Sequence, residues 1–457
     1  MASPPTSSRP ASHWSDTPLA RVLTPMQEFM HYAQAGGIAL IAVTIIALLL
    51  ANTGMHQQYE SLLATYAGIN LGLFEVKLSI HHWINDGLMA IFFLFIGLEI
   101  KREVLVGELA RLRVAALPII AAIGGAVVPA AIYAVLNRGG TGSSGWGIPM
   151  ATDIAFALGC LALLGSRVPA ALKIFLTAVA IVDDLIAVIV IAIFYTAELN
   201  LGALLVGIGL LLLLMAANRL GIRTLLVYLV VGVGVWLAFL ASGIHATLAG
   251  VAVALTIPAR FRIDGAAFRA RAHALVEGFP VTTDATALML TDEQQQQTVL
   301  ELEDLCEHVQ APLQKLEHRL HGWITWCIMP IFALANAGVV VSLSTLHGPA
   351  IPIVLGVVFG LVLGKPIGLV GASWLAVRSG WVELPEGVTW GHMLGAGMLA
   401  GIGFTMSMFL ATLGLPTPEA QTAAKLAILL ASLIAGGGGM LILRRMPQPR
   451  TNDKKSQ

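Results

Sequence analysis

The sequence predicts an all-α polytopic membrane protein with twelve transmembrane helices. Three observations carry that prediction: the composition, the spacing of the apolar runs, and the face on which the basic residues fall. Of 457 residues, 57% are hydrophobic and only 11% are charged, with a mean hydropathy of +0.83. Soluble domains carry roughly a quarter charged residues. Runs such as 38–51 and 201–215 hold almost no polar side chain, and a helix needs about 20 mainly apolar residues to cross a bilayer.

Twelve segments meet the hydropathy criterion, at about 37–54, 83–106, 114–136, 149–165, 169–196, 201–218, 222–240, 242–258, 319–341, 350–377, 391–413 and 420–443. An even count places both termini on one side. Of the 26 Lys and Arg, one face takes Arg9, Arg21, Lys101, Arg102, Arg111, Arg113, Arg167, Lys173, Arg219, Arg223, Arg378 and the basic residues of 260–271, 315–319 and the C-terminal tail. Lys77 and Arg138 alone fall clearly on the other. The positive-inside rule then makes both termini cytoplasmic.

Residues 1–30 are Ser/Pro-rich and lack an apolar signal-peptide core, so they read as a disordered cytoplasmic tail. The transmembrane domain runs from 31 to 443, and 444–457 form a second cytoplasmic tail. Between Ile69 and Ile80, partial two-residue alternation predicts a small extracytoplasmic β-hairpin. The acidic, Gln-containing stretch 264–312 reads as a solvated cytoplasmic insertion, helical in part. Cys160, Cys306 and Cys327 lack the spacing of a disulfide framework or a thiolate metal site. A net charge of zero gives no sign of a nucleic-acid partner.

Ionisable groups at membrane depth cost about +2.5 to +3.5 kcal/mol each on insertion scales, so each is a functional candidate. Asp183 and Asp184 lie in the middle of AVAIVDDLIAVIVIAIFY. Adjacent helical residues point about 100° apart, so both can border one cavity while facing different neighbours. Two carboxylates this close cannot both stay ionised cheaply, so protons and hard cations compete for them. A satisfied polar pair that locks helix packing is the alternative. Lys365, in GLVLGKPIGLV, is a basic residue at the centre of an apolar segment and needs an anionic partner, for which Asp183 or Asp184 is available. Otherwise it is a lysine snorkelling to the interface.

Asp153 follows Pro149 and Thr152 in WGIPMATDIAFALG, where the proline disfavours continuous helix. LGAGMLAGIGFTMSMF packs four glycines ahead of Thr405 and Ser407, which close helix packing would also explain. These are the fourth and eleventh spans, each central to a group of three. The grouping predicts inverted repeats, helices 3–5 and 10–12, with two interrupted helices crossing at the midplane. Asp153 suits the positive helix N-termini of such a crossing and Lys365 the negative C-termini.

At the cytoplasmic end of the second span, IGLEIKRE clusters Glu99, Lys101, Arg102 and Glu103; Glu317, His318 and His321 stand at the start of the ninth. Histidines titrate near neutral pH, so a proton-responsive mouth is one reading and a solvated interfacial charge cluster the other. His245, in SGIHATLAG, is either a tuning group or a hydrogen-bonded packing histidine.

HHWINDGLMAIFFLFIGLEIKRE, ATDIAFALG, SRVPAALKIFL, AIVDDL, SGIHATLAG, IFALANAGV, GKPIG and GIGFTMS occur in this order. Together they resemble the bacterial NhaA sodium/proton antiporters across nearly all of 31–443. NhaA proteins are themselves a reference case for the inverted-repeat architecture, so that reading and the resemblance are one inference. The resemblance implies a homodimer of the bacterial inner membrane that exports Na⁺ or Li⁺ for a larger number of external protons, electrogenically, more actively at alkaline pH, and in the service of pH and sodium homeostasis. It implies a secondary transporter that needs no cofactor. Asp184 would be the principal cation ligand and Asp183 its proton-carrying partner, salt-bridged to Lys365, with Thr152 and Asp153 at the broken helix. Glu99, Arg102, Glu103, Glu317, His318 and His321 match the family's pH-response region, and the hairpin near Leu71 and Ser79 its dimer contact. The longer N-terminal tail and the insertion 264–312 depart from the pattern.

A sodium-coupled symporter on the same fold, an intramembrane aspartyl protease and a passive channel are the competing functions. A symporter needs a larger organic-substrate pocket. A protease would divide its two acids between facing helices, whereas here they are adjacent. A site where protons compete for the ion slows a channel.

Overall fold

Apolar runs fold as helices in a bilayer because no water is present to satisfy backbone N–H and C=O groups. The computed structural model describes residues 35–70, 75–196, 199–259, 265–279, 293–341 and 350–447. The tail 1–30, positions 71–74 of the hairpin, the middle of the insertion and the last ten residues lie outside the described residues.

The chain begins with α1 (Ala35–Asn52), bent by 108° into α2 (His56–Ala64). Strands β1 (Tyr66–Asn70) and β2 (Glu75–Ser79) pair antiparallel, with Tyr66 opposite Ser79 and Asn70 opposite Glu75. This is the anticipated two-stranded sheet. Ser79 caps a short turn, Ile80–His82, which widens through Trp83–Leu88 into α3 (Met89–Val106). Then come α4 (Leu112–Leu136), 3₁₀ turns at Ser143–Met150, α5 (Ile154–Leu163), α6 (Ala170–Phe194), α7 (Leu201–Arg219), α8 (Leu225–Ser242) and α9 (Thr247–Thr256).

Within the insertion, α10 (Gly265–Glu277) and α11 (Glu293–Val309) are helical. Helix α12 (Pro312–Trp323) widens at Ile324–Ile328 into α13 (Met329–Ala337). Likewise α14 (Ile351–Phe359) widens at Gly360–Gly364 into α15 (Lys365–Arg378). The last elements are α16 (Trp390–Ala400), α17 (Phe404–Gly414) and α18 (Pro418–Arg445).

Two of the widened turns have a cause in the sequence. Pro330 and Pro366 carry no N–H for the carbonyls four residues earlier, at Trp326 and Val362, and both carbonyls fall inside the widened stretches. The second of these stretches is what delivers Lys365 into the interior.

Among the described residues, eight helices are long and apolar enough to cross a membrane, or up to ten if each of two bent pairs is one span. Two of the twelve anticipated segments fall short of that test. Helix α3 carries Glu99, Lys101, Arg102 and Glu103 near its end, and α9 has only ten residues. The C-terminal end of α9 is met by its neighbour: Lys101 Nζ donates to the Leu255 and Ile257 carbonyls. A cation there suits the negative helix end.

Side chains point their apolar surface outward on the outer helices, as with Leu205 of α7, which is 67% exposed. Backbones meet closely inside. A Cβ at Gly124 of α4 would stand 2.3 Å from the Gly368 carbonyl of α15, and one at Gly368 would stand 2.1 Å from the Gly124 carbonyl. Only glycine at both positions lets these helices cross so near, which sets Lys365, one turn before Gly368, beside α4.

Candidate functional site

The site is assembled from two interruptions and one continuous helix. After Pro149 the backbone is extended at Ala151 and Asp153 before α5 resumes the helix. Across from it, Gly401 and Gly403 flank Ile402 where α16 and α17 part with a 47° bend. Each interruption frees backbone groups that lipid cannot satisfy, and the two satisfy each other. Asp153 N donates to Ile402 O at 2.7 Å. Thr152 Oγ1 lies 2.8 Å from Ala400 O, and Ser407 Oγ donates to Ile148 O at 2.8 Å.

The Asp153 carboxylate joins the two broken helices. Oδ1 accepts from Phe156 N at 3.1 Å, in the first turn of α5. Oδ2 accepts from Thr405 N at 3.2 Å and from Thr405 Oγ1 at 2.5 Å, in the first turn of α17. One carboxyl group therefore caps two positive helix ends.

Helix α6 runs unbroken past this crossing and presents Asp183 and Asp184, both 1% exposed. Asp183 Oδ2 lies 2.5 Å from Lys365 Nζ and 2.7 Å from Thr152 Oγ1. The Lys365 stem lies against Gly125 of α4: a Cβ there would be 3.7 Å from Lys365 Cδ. Asp183 Oδ1 and Asp184 Oδ1 are buried without a hydrogen-bond partner. An ionised carboxylate oxygen with no partner is strongly disfavoured away from water, so this arrangement attracts a proton or a cation. Asp184 sits nearest that condition, because its neighbour already has Lys365 and Thr152. Among the described residues, no three His, Cys, Asp or Glu side chains gather as a metal-binding group. The oxygen set is two adjacent carboxylates with the Thr152 hydroxyl nearby.

A separate ionic cluster forms where α3 meets α12. Arg102 Nη1 meets Glu317 Oε1 at 2.5 Å, while Nη2 meets Glu103 Oε1 at 2.9 Å and Glu99 Oε1 at 3.9 Å. The His321 ring packs edge-on to Phe95 with centroids 6.0 Å apart, one turn before Glu99. His318 is exposed beside Glu317. His245 stands apart, half-buried in the turn between α8 and α9.

One buried polar chain escaped the sequence reading. Lys425 Nζ of α18 donates to Asn336 Oδ1 at 3.4 Å, Asn336 Nδ2 donates to Asn85 Oδ1 at 2.9 Å, and Asn85 Nδ2 contacts the His81 ring at 3.2 Å. Lys425 thus joins Lys365 as a second lysine held among the spans. Its signal was the single charge within AAKLAILLAS, together with Asn in WIND and ALANAG.

The fold and the site define a multi-pass membrane protein with buried ionisable groups gathered where two helices break. Residues 27–443 match the family described as Na⁺/H⁺ antiporter 1. The Na⁺/H⁺ antiporter NhaA of Oleidesulfovibrio alaskensis is 48% identical over 437 residues, 96% of this chain and 97% of that protein. The NhaA of Wolinella succinogenes is 47% identical over 415 residues, 91% and 92% of the two chains. The chain belongs to the NhaA family of Na⁺/H⁺ antiporters. A solved structure, the sodium proton antiporter MjNhaP1 of Methanocaldococcus jannaschii, is similar at a TM-score of 0.41 and 14% identity over 93% of this chain and 99% of that one, too distant to place any residue.

Proposed function

We propose that this chain exports cytoplasmic Na⁺, and Li⁺ with it, in exchange for a larger number of external protons, and that Asp183 and Asp184 hold both cargoes in turn. The observation that carries this reading is the asymmetry of the pair: Asp183 is tied to Lys365 and Thr152, whereas Asp184 Oδ1 is buried and unpartnered. Na⁺ is a hard ion that takes oxygen ligands, so losing its proton turns Asp184 into the primary ligand, with Asp183 and Thr152 beside it. The Thr152 hydroxyl has one proton and two acceptors, Asp183 Oδ2 and Ala400 O. With Asp183 protonated, its carboxyl donates to Thr152, which donates to Ala400; with Asp183 ionised, Thr152 can turn to the carboxylate. The charge state of Asp183 is in this way transmitted to the end of α16.

The cycle runs by alternating access. Protons leave the carboxylates toward the cytosol, Na⁺ binds, the two three-helix groups rock against the rest, and external protons displace the ion. The groups are α4 to α6 and α14 to α18, inverted repeats in a twelve-span fold with both termini cytoplasmic and the inner membrane as its location. Support for the repeat comes from the reciprocal crossings, Gly124 with Gly368 and 152–153 with 400–402. The Arg102 cluster, with His318 and His321 at its edge, is the pH-responsive element, His245 a further modulator, and the β1–β2 hairpin the contact of a homodimer.

In proteoliposomes with an imposed pH gradient, added Na⁺ or Li⁺ dissipates the gradient. The rate rises from about pH 6.5 to about 8.5, a window around neutral histidine titration, because fewer protons hold the carboxylates as pH rises. Clamping the membrane potential at zero with valinomycin and K⁺ changes the rate if unequal charges cross. No Na⁺-dependent proton movement anywhere in that window would sink the exchange reading, and a rate indifferent to the clamp would remove its electrogenic part.

A further inference from the structure

Helix α5 leaves its last turn through Leu164 into Gly165–Arg167, where Gly165 adopts a left-handed φ of +60°. This turn brings Arg167 against the C-terminal part of α18, and Arg167 Nη1 donates to Arg444 O at 3.3 Å. Between the two helices lies a cavity of about 570 Å³ lined by Leu163, Leu164, Arg167, Met440, Leu441 and Arg444. Gly437 also lines it, and an added Cβ there would meet nothing within 4 Å.

Two features of this cavity ask for an anion with an apolar body. Arg167 and Arg444 both line it, and among the described residues neither has a carboxylate within ion-pair distance and no acid lines the cavity. Both residues are exposed, and the planar guanidinium fork matches phosphate oxygens. The remaining wall is apolar and open to the outside of the bundle: Leu163 is 60% and Leu441 52% exposed. A free phosphate would make no use of that wall. The cavity also lies at the basic ends of the spans, where lipid headgroups stand.

We propose that this groove binds one anionic phospholipid, with its phosphate on Arg167 and Arg444 and an acyl chain along Leu163 and Leu441. The lipid clamps α5 to α18. Helix α5 is only the second half of an interrupted span, and its other end is the Asp153 cap, so the bound lipid steadies the broken helix from the end opposite the ion site.

The test uses the full-length protein in neutral detergent, titrated with phosphatidylglycerol, phosphatidylcholine, glycerol 3-phosphate or inorganic phosphate. Bound lipid is counted by native mass spectrometry, and the lipid-induced rise in Tm is measured beside it. Phosphatidylglycerol binds and raises the Tm; phosphatidylcholine and the two soluble phosphates do so weakly or not at all. In R167Q/R444Q the affinity for phosphatidylglycerol falls about tenfold or more, the equivalent of losing one charge-assisted contact. In Gly437→Trp, which puts a large side chain on the lining and keeps both arginines, it falls comparably. Should the double variant not purify, Gly437→Trp carries the test alone. Wild-type lipid affinity in either variant overturns the proposal, and so does equal protection by glycerol 3-phosphate or inorganic phosphate.

Discussion

Asp184→Asn abolishes Na⁺-dependent dissipation of a pH gradient in everted vesicles, lowering the rate at least about a hundredfold, as expected when an ion loses roughly 3 kcal/mol of ligand interaction. The substitution replaces one carboxylate oxygen with an amide that presents N–H donors to the cation, and removes the group whose proton must leave before Na⁺ enters. It barely disturbs the fold, because Asp184 Oδ1 has no hydrogen bond to lose. The variant protein should therefore reach the membrane in normal amount and elute as the wild type does. Transport surviving near the wild-type rate would reassign the primary ligand to Asp183 or Asp153.

Lys365→Ala has its largest effect on stability. It leaves the carboxylate of Asp183 buried with Thr152 as its remaining partner, and breaking one side of a buried ion pair costs about 3–5 kcal/mol. The Tm of the purified protein falls accordingly. Removing the orphaned charge as well, in Lys365→Ala/Asp183→Asn, recovers most of the loss, since a neutral amide can be buried with Thr152 still bonded to it. If the double variant is as unstable as the sum of the two single variants, Lys365 acts through packing against Gly125, and the ion pair is not what holds α15 to α6.

The residues on which these results depend were legible before the fold to unequal degrees. Asp183, Asp184 and Lys365 stand out because a charge in an apolar run is rare and costly, whatever it packs against. Their division of labour is not visible in the same way. That Lys365 pairs with Asp183 depends on the widened turn at Gly360–Gly364 and the glycine crossing of α4 with α15, and both are tertiary events. The breaks at Pro149 and at Gly401–Gly403 could be anticipated from local backbone chemistry; the exchange of hydrogen bonds between them could not, because the partners are some 250 residues apart in sequence. Lys425 went unnoticed for the opposite reason. It lies only eight residues into α18, where a lysine ordinarily reaches the interface, and only the fold reveals Asn336 and Asn85 waiting for it. A small hairpin and a partly helical insertion were anticipated in kind, whereas the strand register, Tyr66 opposite Ser79, was not.

The central claim is that protons and Na⁺ compete for the same two carboxylates. It is tested most directly by adding NaCl to the purified protein in weakly buffered detergent near pH 8, close to the top of the active window, and following proton release with a pH indicator dye. Choline chloride serves as the ionic-strength control. The account expects Na⁺ to release protons in a saturable way, with an apparent affinity that weakens as pH is lowered, and expects Asp184→Asn to release none. Saturable Na⁺ binding with no proton release, or release that persists unchanged in Asp184→Asn, would contradict it.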